Sequence, residues 1–281
     1  MEKLYKDRLV GRLIAFLVAV ILIVSGAIIA PTAHADGTLT QELMTLFRGL
    51  TPTQIDDAVA DAKRGLLAET RGTKRNNLEK LFDNQIVTLK DRGTPEQIVN
   101  IFKLYYNVVT PKALQIWETK YPNETLESLA ARGITLALPV IPRSFRSPYD
   151  LMAMIQNNGK AGYAYLKPTE ISDVVDAPQE PYYIYDVEDG ESTRGKSPQN
   201  AEKIFKDQAR SPLTVAEITA LATHTDVLLK YNVWATGSRF GSADGVPSIS
   251  LDNSGQPRLG WVYVSDSHSL WGSASCGSRT E

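Results

Sequence analysis

Six times in this chain a serine or threonine is followed by proline: Thr51-Pro52, Thr94-Pro95, Thr110-Pro111, Ser147-Pro148, Ser197-Pro198 and Ser211-Pro212. A hydroxyl at a helix N-cap accepts a hydrogen bond from an unpaired backbone N–H. Proline at the next position loses nothing, because its own N–H would be unpaired there. Each pair is therefore a candidate helix start, and together they divide the chain into short helices. In TPTQ (51–54) and TPEQ (94–97) a glutamine at the third helical position completes a capping box. Ser211-Pro212 is the exception, because Thr214-Val-Ala-Glu217 just after it is the better box.

These starts predict helices near 40–49, 52–68, 74–91, 95–108, 111–120 and 125–132. The fourth carries Ile98, Ile101, Phe102 and Tyr105 at helical spacing, a stripe that must be buried. After Gly133 the texture changes. ITLALPVI (134–141), GYAYL (162–166) and YYIYDV (182–187) have strand length and apolar or aromatic content. Helices are expected at 148–157, 198–209, 215–223 and 226–231. NVWATGSRF (232–240), VPSISL (246–251) and RLGWVYV (258–264) add strands, with Asp252-Asn253-Ser254-Gly255 as a hairpin turn. The expected fold is α+β: a helical region, 36–133, followed by a mixed domain, 134–281, with a mainly antiparallel sheet.

Residues 1–35 read as a targeting segment. Lys3, Lys6, Arg8 and Arg12 precede an uncharged apolar run from Leu13 to Ala30, and Ala33-His34-Ala35 offers the small-x-small pattern of a signal peptidase site. Cleavage after Ala35 is expected. The alternative is an uncleaved anchor contacting the membrane through residues 13–30, since a run of about 18 apolar residues can span a bilayer. Either way the folded part is expected outside the cytoplasm, in the periplasm, cell envelope or beyond. Without the first 35 residues, 26 Lys+Arg stand against 30 Asp+Glu. That mild negative charge disfavours a nucleic-acid partner. A lone cysteine excludes an intrachain disulfide, so stability rests on an ordinary hydrophobic core.

Several ordered segments of the second half carry a resemblance: PYYIYDVEDGES (181–192), RSPLTVAE (210–217), GSRFG (237–241), VPSIS (246–250), PRLGW (257–261) and HSLWGSASCG (268–277). IPRSFRSPYDLMAMIQNNGKAGY, within 138–166, belongs with them. Together they resemble an uncharacterised bacterial family, a domain of unknown function. The resemblance covers 135–281 well and 82–134 loosely. It implies no activity. Members are usually predicted cytoplasmic, and this chain departs from them in its export signal and in helices 38–80.

Few residues could carry chemistry. Cys276 and His268 could form a nucleophile and base, with Asp266 or Asp252 orienting the ring, in a thiol-dependent hydrolase or transferase. Extended, a separation of eight residues holds them about 27 Å apart, so a reversal at Gly272-Ser273 is required. The plain alternative is a small buried cysteine in a close-packed turn. DVEDGES (186–192) has the carboxylates of a calcium loop, but its glycine stands fifth rather than sixth. The GSRFGSADG loop (237–245) with Arg239 could cradle an anion, although it lacks the lysine and spacing of a P-loop. Trp234, Trp261, Tyr263 and Trp271 could stack on a glycan, or simply pair within a sheet. Arg239, Trp261 and Trp271 are thus the candidate ligand-binding residues. His224 is expected to cap a helix or face solvent. No zinc pattern exists, and neither a metal nor another cofactor is expected. The function expected is binding or association with the envelope rather than catalysis.

Overall fold

A computed structural model of the 281-residue chain describes residues 52–241 and 244–280. The targeting segment, the apolar run 13–30 and the helix expected at 40–49 lie outside the described residues. Among the described residues no helix is long and apolar enough to cross a membrane.

The fold is α+β, with the helical region at its N-terminal end. The chain divides into two compact units, 1–76 and 77–281. The first described helix, α1, runs Pro52–Asp91 as one element, where two were expected, near 52–68 and 74–91. It stops at Gly93, whose φ of +72° suits glycine, and the Thr94 N–H donates to the Leu89 carbonyl (3.0 Å). That use of Thr94 explains a miss. α2 spans Glu96–Leu104 with Pro95 as its N-cap, and the Thr94 hydroxyl caps nothing. α3 (Tyr106–Lys120) contains Pro111 rather than starting at it. Burial of Val109, Ala113, Leu114 and Trp117 along one face outweighs the single backbone bond that proline removes.

Elsewhere the hydroxyl caps work as expected. Thr125 and Ser128 form a reciprocal box at α4 (Leu126–Ala131). Ser147 caps α5 (Pro148–Met154), Ser197 caps α6 (Pro198–Asp207), and Thr214 with Glu217 boxes α7 (Val215–His224). α8 is the short Val227–Lys230. The helix expected to reach Asn157 ends at Met154. Gln156–Asn157 (β2) turns back onto Lys160–Ala161 (β3) through Asn158 (φ +49°) and Gly159 (φ +75°). An Asn-Gly pair is the strongest short hairpin signal, and here it overrides helical continuation.

Two larger sheets follow. In the first, β6 (Tyr182–Glu188) is central: β1 (Ile134–Val140) pairs antiparallel along one edge, and β13 (Ser275–Cys276) and β14 (Ser278–Arg279) line the other. β7 (Ser211–Pro212) closes the order β1-β6-β13-β7. In the second, β10 (Gly245–Leu251) and β11 (Pro257–Tyr263) form the expected hairpin, turned by Asp252 Oδ1, which accepts from the Ser254 and Gln256 N–H groups. β8 (Asn232–Trp234) and β12 (Trp271–Ser273) extend it on one side and β4 (Tyr163–Ala164) on the other. β9 (Ser238–Phe240) bridges β10 to β5 (Ile171–Asp173). The run expected as one strand over 232–240 is thus broken at 235–237, where the Ser238 N–H returns to the Ala235 carbonyl.

The core gathers on both faces of β6. Tyr183 meets Phe82, Phe102 and Tyr105 edge-to-face at ring separations of 5.6–6.3 Å, tying the helices to the sheet. Tyr182 donates to Glu217 Oε1 (2.9 Å) at the start of α7. Glu217 is fully buried and takes Arg279 in a two-pronged bond, 2.7 Å from Nε and 2.8 Å from Nη2. Removing one partner of such a pair strands a buried charge, at a cost of about 3–5 kcal/mol. Glu217→Ala is therefore expected to lower unfolding stability by about that amount, read as a drop in urea midpoint at unchanged slope.

Candidate functional site

The sequence-predicted thiol site comes first. Cys276 is fully buried in β13, with its backbone paired to Ser211. Burial, with the Glu217 carboxylate nearby, pushes the thiol up to about 12, and the opposing pull of Arg279 and Arg210 does not reverse this. A thiolate nucleophile needs the reverse, a depressed pKa and open access. The expected reversal at Gly272-Ser273 is absent. These residues are extended strand paired with Val233 and Trp234, and the chain crosses at Ala274 from the second sheet into the first. His268 is exposed on the preceding turn, its Nδ1 accepting from the Leu270 N–H (3.1 Å). Asp266 is exposed too, with Oδ2 accepting from the Tyr263 N–H. Asp252 is occupied by its own hairpin turn.

The glycines of the tail serve close packing. A Cβ on Gly272 would collide with the Gly190 carbonyl, and one on Gly277 would meet the Asp186 carboxylate. Thr193 Oγ1 locks the two segments, accepting from the Ser273 N–H and donating to the Ser273 carbonyl. DVEDGES is therefore a partner of the tail rather than a calcium loop. Asp186 adopts a φ of +51° and accepts from Lys120 Nζ, Tyr121 Oη and Arg210 Nη1 at 2.6–2.8 Å. Burial pushes its carboxyl up, but these donors and charges together hold it below the usual range. Among the described residues no cluster of three or more His, Cys, Asp or Glu could hold a metal.

The candidate ligand residues are also engaged internally. Arg239 pairs with Glu202 (2.7 Å) and donates to the Thr236 and Ser238 carbonyls. Its neighbours explain the rest of GSRFG. Gly237 lies against the backbone of Pro212 and Leu213, and the Ser238 hydroxyl accepts from the first N–H of α7 while donating to Asp173. Trp271 stacks on the buried Trp234 at 5.6 Å. Trp261 lies edge-on to Tyr263 (5.0 Å) and beside Phe240. Trp261 and Trp271 thus stand on β11 and β12, with β10 and β8 between them.

The structure instead opens a cleft of about 300 Å³ along β1. Its walls are Leu81, Leu126, Ile134, Leu136, Leu138 and Val227. Gln85, Asp189, His224, Asp226 and Lys230 supply polar groups. At the Gly133 end, a Cβ on that glycine would collide with the Asp189 carboxylate, so glycine is required there for space as well as for its φ of +72°. Burial raises the Asp189 carboxyl above the usual range, against the Glu191 N–H that bonds it (3.1 Å). At the Leu138 end, Gln85 is buried and donates Nε2 to the Ala137 carbonyl (2.8 Å), leaving its Oε1 shielded and without a protein partner. His224 keeps some exposed surface, but its Nε2 is equally shielded and unpartnered. Burial of the ring, assisted by the Arg92 charge, lowers its pKa to about 4. The expectation that His224 caps a helix or faces solvent is corrected: it is the last residue of α7 and lines the cleft. Gln85 and Lys230 escaped notice, and Asp189 was weighed only as part of a calcium loop, because residues 85, 189 and 230 come together only in the fold. The one local signal was Gly133 beside a buried Asp, and it needs the register of β1 on β6 to be read.

Two measurements follow from this geometry. Cys276 should resist alkylation by iodoacetamide in the folded protein and react only on unfolding; fast labelling of the native chain would contradict a buried, protonated thiol. His224 has a native pKa depressed below its unfolded value near 6.5. The unfolded state therefore binds a proton first, and stability present above pH 6.5 is lost as pH falls toward 4. The loss should reach about 3 kcal/mol by urea titration, and His224→Phe should flatten that segment of the pH profile.

The sequence profile of a family of unknown function, DUF5701, matches residues 105–281, more than half the chain, from the end of α2 through the C-terminal strands. No curated protein and no solved structure matches significantly. The cleft, the buried thiol and the tail that links the two sheets are accordingly features of a member of DUF5701, the family to which this chain belongs.

Proposed function

We propose that this chain is an exported or envelope-anchored binding module, and that the cleft along β1 receives its ligand. The observation that carries the reading is the apolar cleft itself, whose lining residues include Gln85 and His224, each with a shielded and unpartnered polar atom. A buried polar atom without a hydrogen bond costs free energy, so each such exception in a native fold calls for an explanation. An apolar slot with a few convergent polar groups and a shifted histidine is the usual form of a small-molecule site. The thiol alternative has the opposite support: a fully buried sulfur held protonated, and a histidine engaged on an exposed turn. Export rests on the basic, apolar and small-residue order of residues 1–35.

Ligand-observed NMR with a mixed library of charged and uncharged compounds of about ten heavy atoms tests the cleft, because its volume equals that of roughly ten waters. Ala130→Trp, on the exposed face of α4 at the cleft mouth, serves as the blocked control. Some compounds should bind the natural chain and lose binding in the variant. No hit sensitive to Ala130→Trp would sink the cleft as a site. Mass spectrometry of the cell-envelope and secreted fractions should find an N-terminus at Asp36, or an intact anchor; a chain confined to the cytoplasm would overturn export.

A further inference from the structure

The C-terminal tail, residues 271–280, occupies an interior place in the fold although it is the last part of the chain to be made. We infer that it is a latch: the core of residues 77–280 closes only when the tail docks, and the tail docks through its own contacts. The central strand shows why. β6 is buried from Tyr182 to Val187 and has two edges to satisfy. β1 pairs with one. Among the described residues the other is paired only by β13 and β14, both in the tail. The Thr280 N–H donates to the Tyr183 carbonyl (2.8 Å) and the Gly277 N–H to the Tyr185 carbonyl (2.9 Å), while the Tyr183 N–H donates to Thr280 Oγ1 (3.0 Å). Without the tail these groups lie on the open edge of a buried strand, which costs free energy and invites mispairing.

The start of α7 depends on the same segment. β7 joins its sheet through β13 and leads into α7, and the Leu213 N–H between them donates to the Ala274 carbonyl (3.1 Å). On the first turn of α7 the buried Glu217 carboxylate has its ion-pair partner in Arg279. Removing the tail leaves that charge buried with only the Tyr182 hydroxyl and the Thr214 N–H as donors. The tail's contacts join residues 62 to 97 positions apart, so no local element replaces them. The link before the tail has the opposite character, an exposed turn over 265–270. For an exported chain, the reading proposed above, such a latch has a use. The chain stays unfolded until its last residues are free, and an unfolded chain is what a membrane channel passes.

A protease recognition sequence inserted between Asp266 and Ser267 of the full chain tests the latch. Cleavage after folding should leave the near-UV circular dichroism unchanged, with both pieces eluting together. Separated in urea and diluted alone, the large piece should lack the native near-UV signal, and an equimolar synthetic peptide of residues 267–281 should restore it. The same peptide carrying Arg279→Met should need at least roughly tenfold more for half-restoration, because it leaves Glu217 unpaired. A chain ending at Leu270, made without the insertion, should also lack the native signal. A large piece or truncated chain that shows that signal and a cooperative urea transition by itself overturns the latch and leaves export untouched. Equal restoration by a peptide of scrambled order overturns it too, as does failure of the cleaved pair to refold together where the uncut chain refolds.

Discussion

The structure depends on burying two carboxylates, one on the central strand β6 and one at the start of α7, and matching each with an arginine. Asp186 takes Arg210 at 2.8 Å, and Glu217 takes Arg279. Arg210 also reaches the Ser275 hydroxyl and the Asp186 and Ser275 carbonyls, and Arg279 reaches Ser211 and the Pro212 carbonyl. With four hydrogen bonds to each guanidinium, these pairs offset the desolvation that would otherwise make a buried ion destabilising. They also fix register. β7, β13 and β14 are only two residues long, too short to hold a position on backbone bonds alone, and the guanidinium forks place them.

That arrangement explains the C-terminal tail. Its glycines and serines admit close backbone approach to Gly190 and leave room for Asp186, and the cysteine between them is a small apolar residue where two sheets join. The charges around Cys276 belong to the ion pairs, and their effects on the sulfur largely oppose one another, so burial decides its protonation. The same tail thus presents the residue types of a nucleophile site while doing the mechanical work of a clasp.

The cleft is a consequence of the same frame on its opposite edge. β1 pairs with β6 from Ile134 to Val140, and α4 must pass over its start through the tight turn at Gly133. Asp189 occupies the space a side chain at Gly133 would take, which sets the polar end of the slot. Gln85 arrives from α1, held by the Ala137 carbonyl, and His224 from the end of α7. Three elements remote in sequence therefore line one slot, each positioned by a bond or a termination with its own local cause.

Much of the fold was legible in the sequence because its signals are local. Hydroxyl caps at Ser147, Ser197 and Thr214, the apolar runs of β1 and β6, and the turn at Asp252 each act within a few residues. Where local signals competed, the sequence misled: Thr94 finishes one helix instead of starting the next, Pro111 is carried inside a buried helix, and Asn158-Gly159 cuts a helix short. The site was barely legible. Cys276, His268, Arg239, Trp261 and Trp271 were conspicuous by type, yet reactivity depends on exposure, charge and mutual distance, which type does not set. The sequence by itself determined the α+β class, the principal caps and the need for an ordinary core, since these follow from patterning and the lone cysteine. Only the tertiary structure decided which polar atoms are left unpaired, because Gln85 Oε1 and His224 Nε2 lose water through the packing of elements remote in sequence, a property that neither residue carries alone.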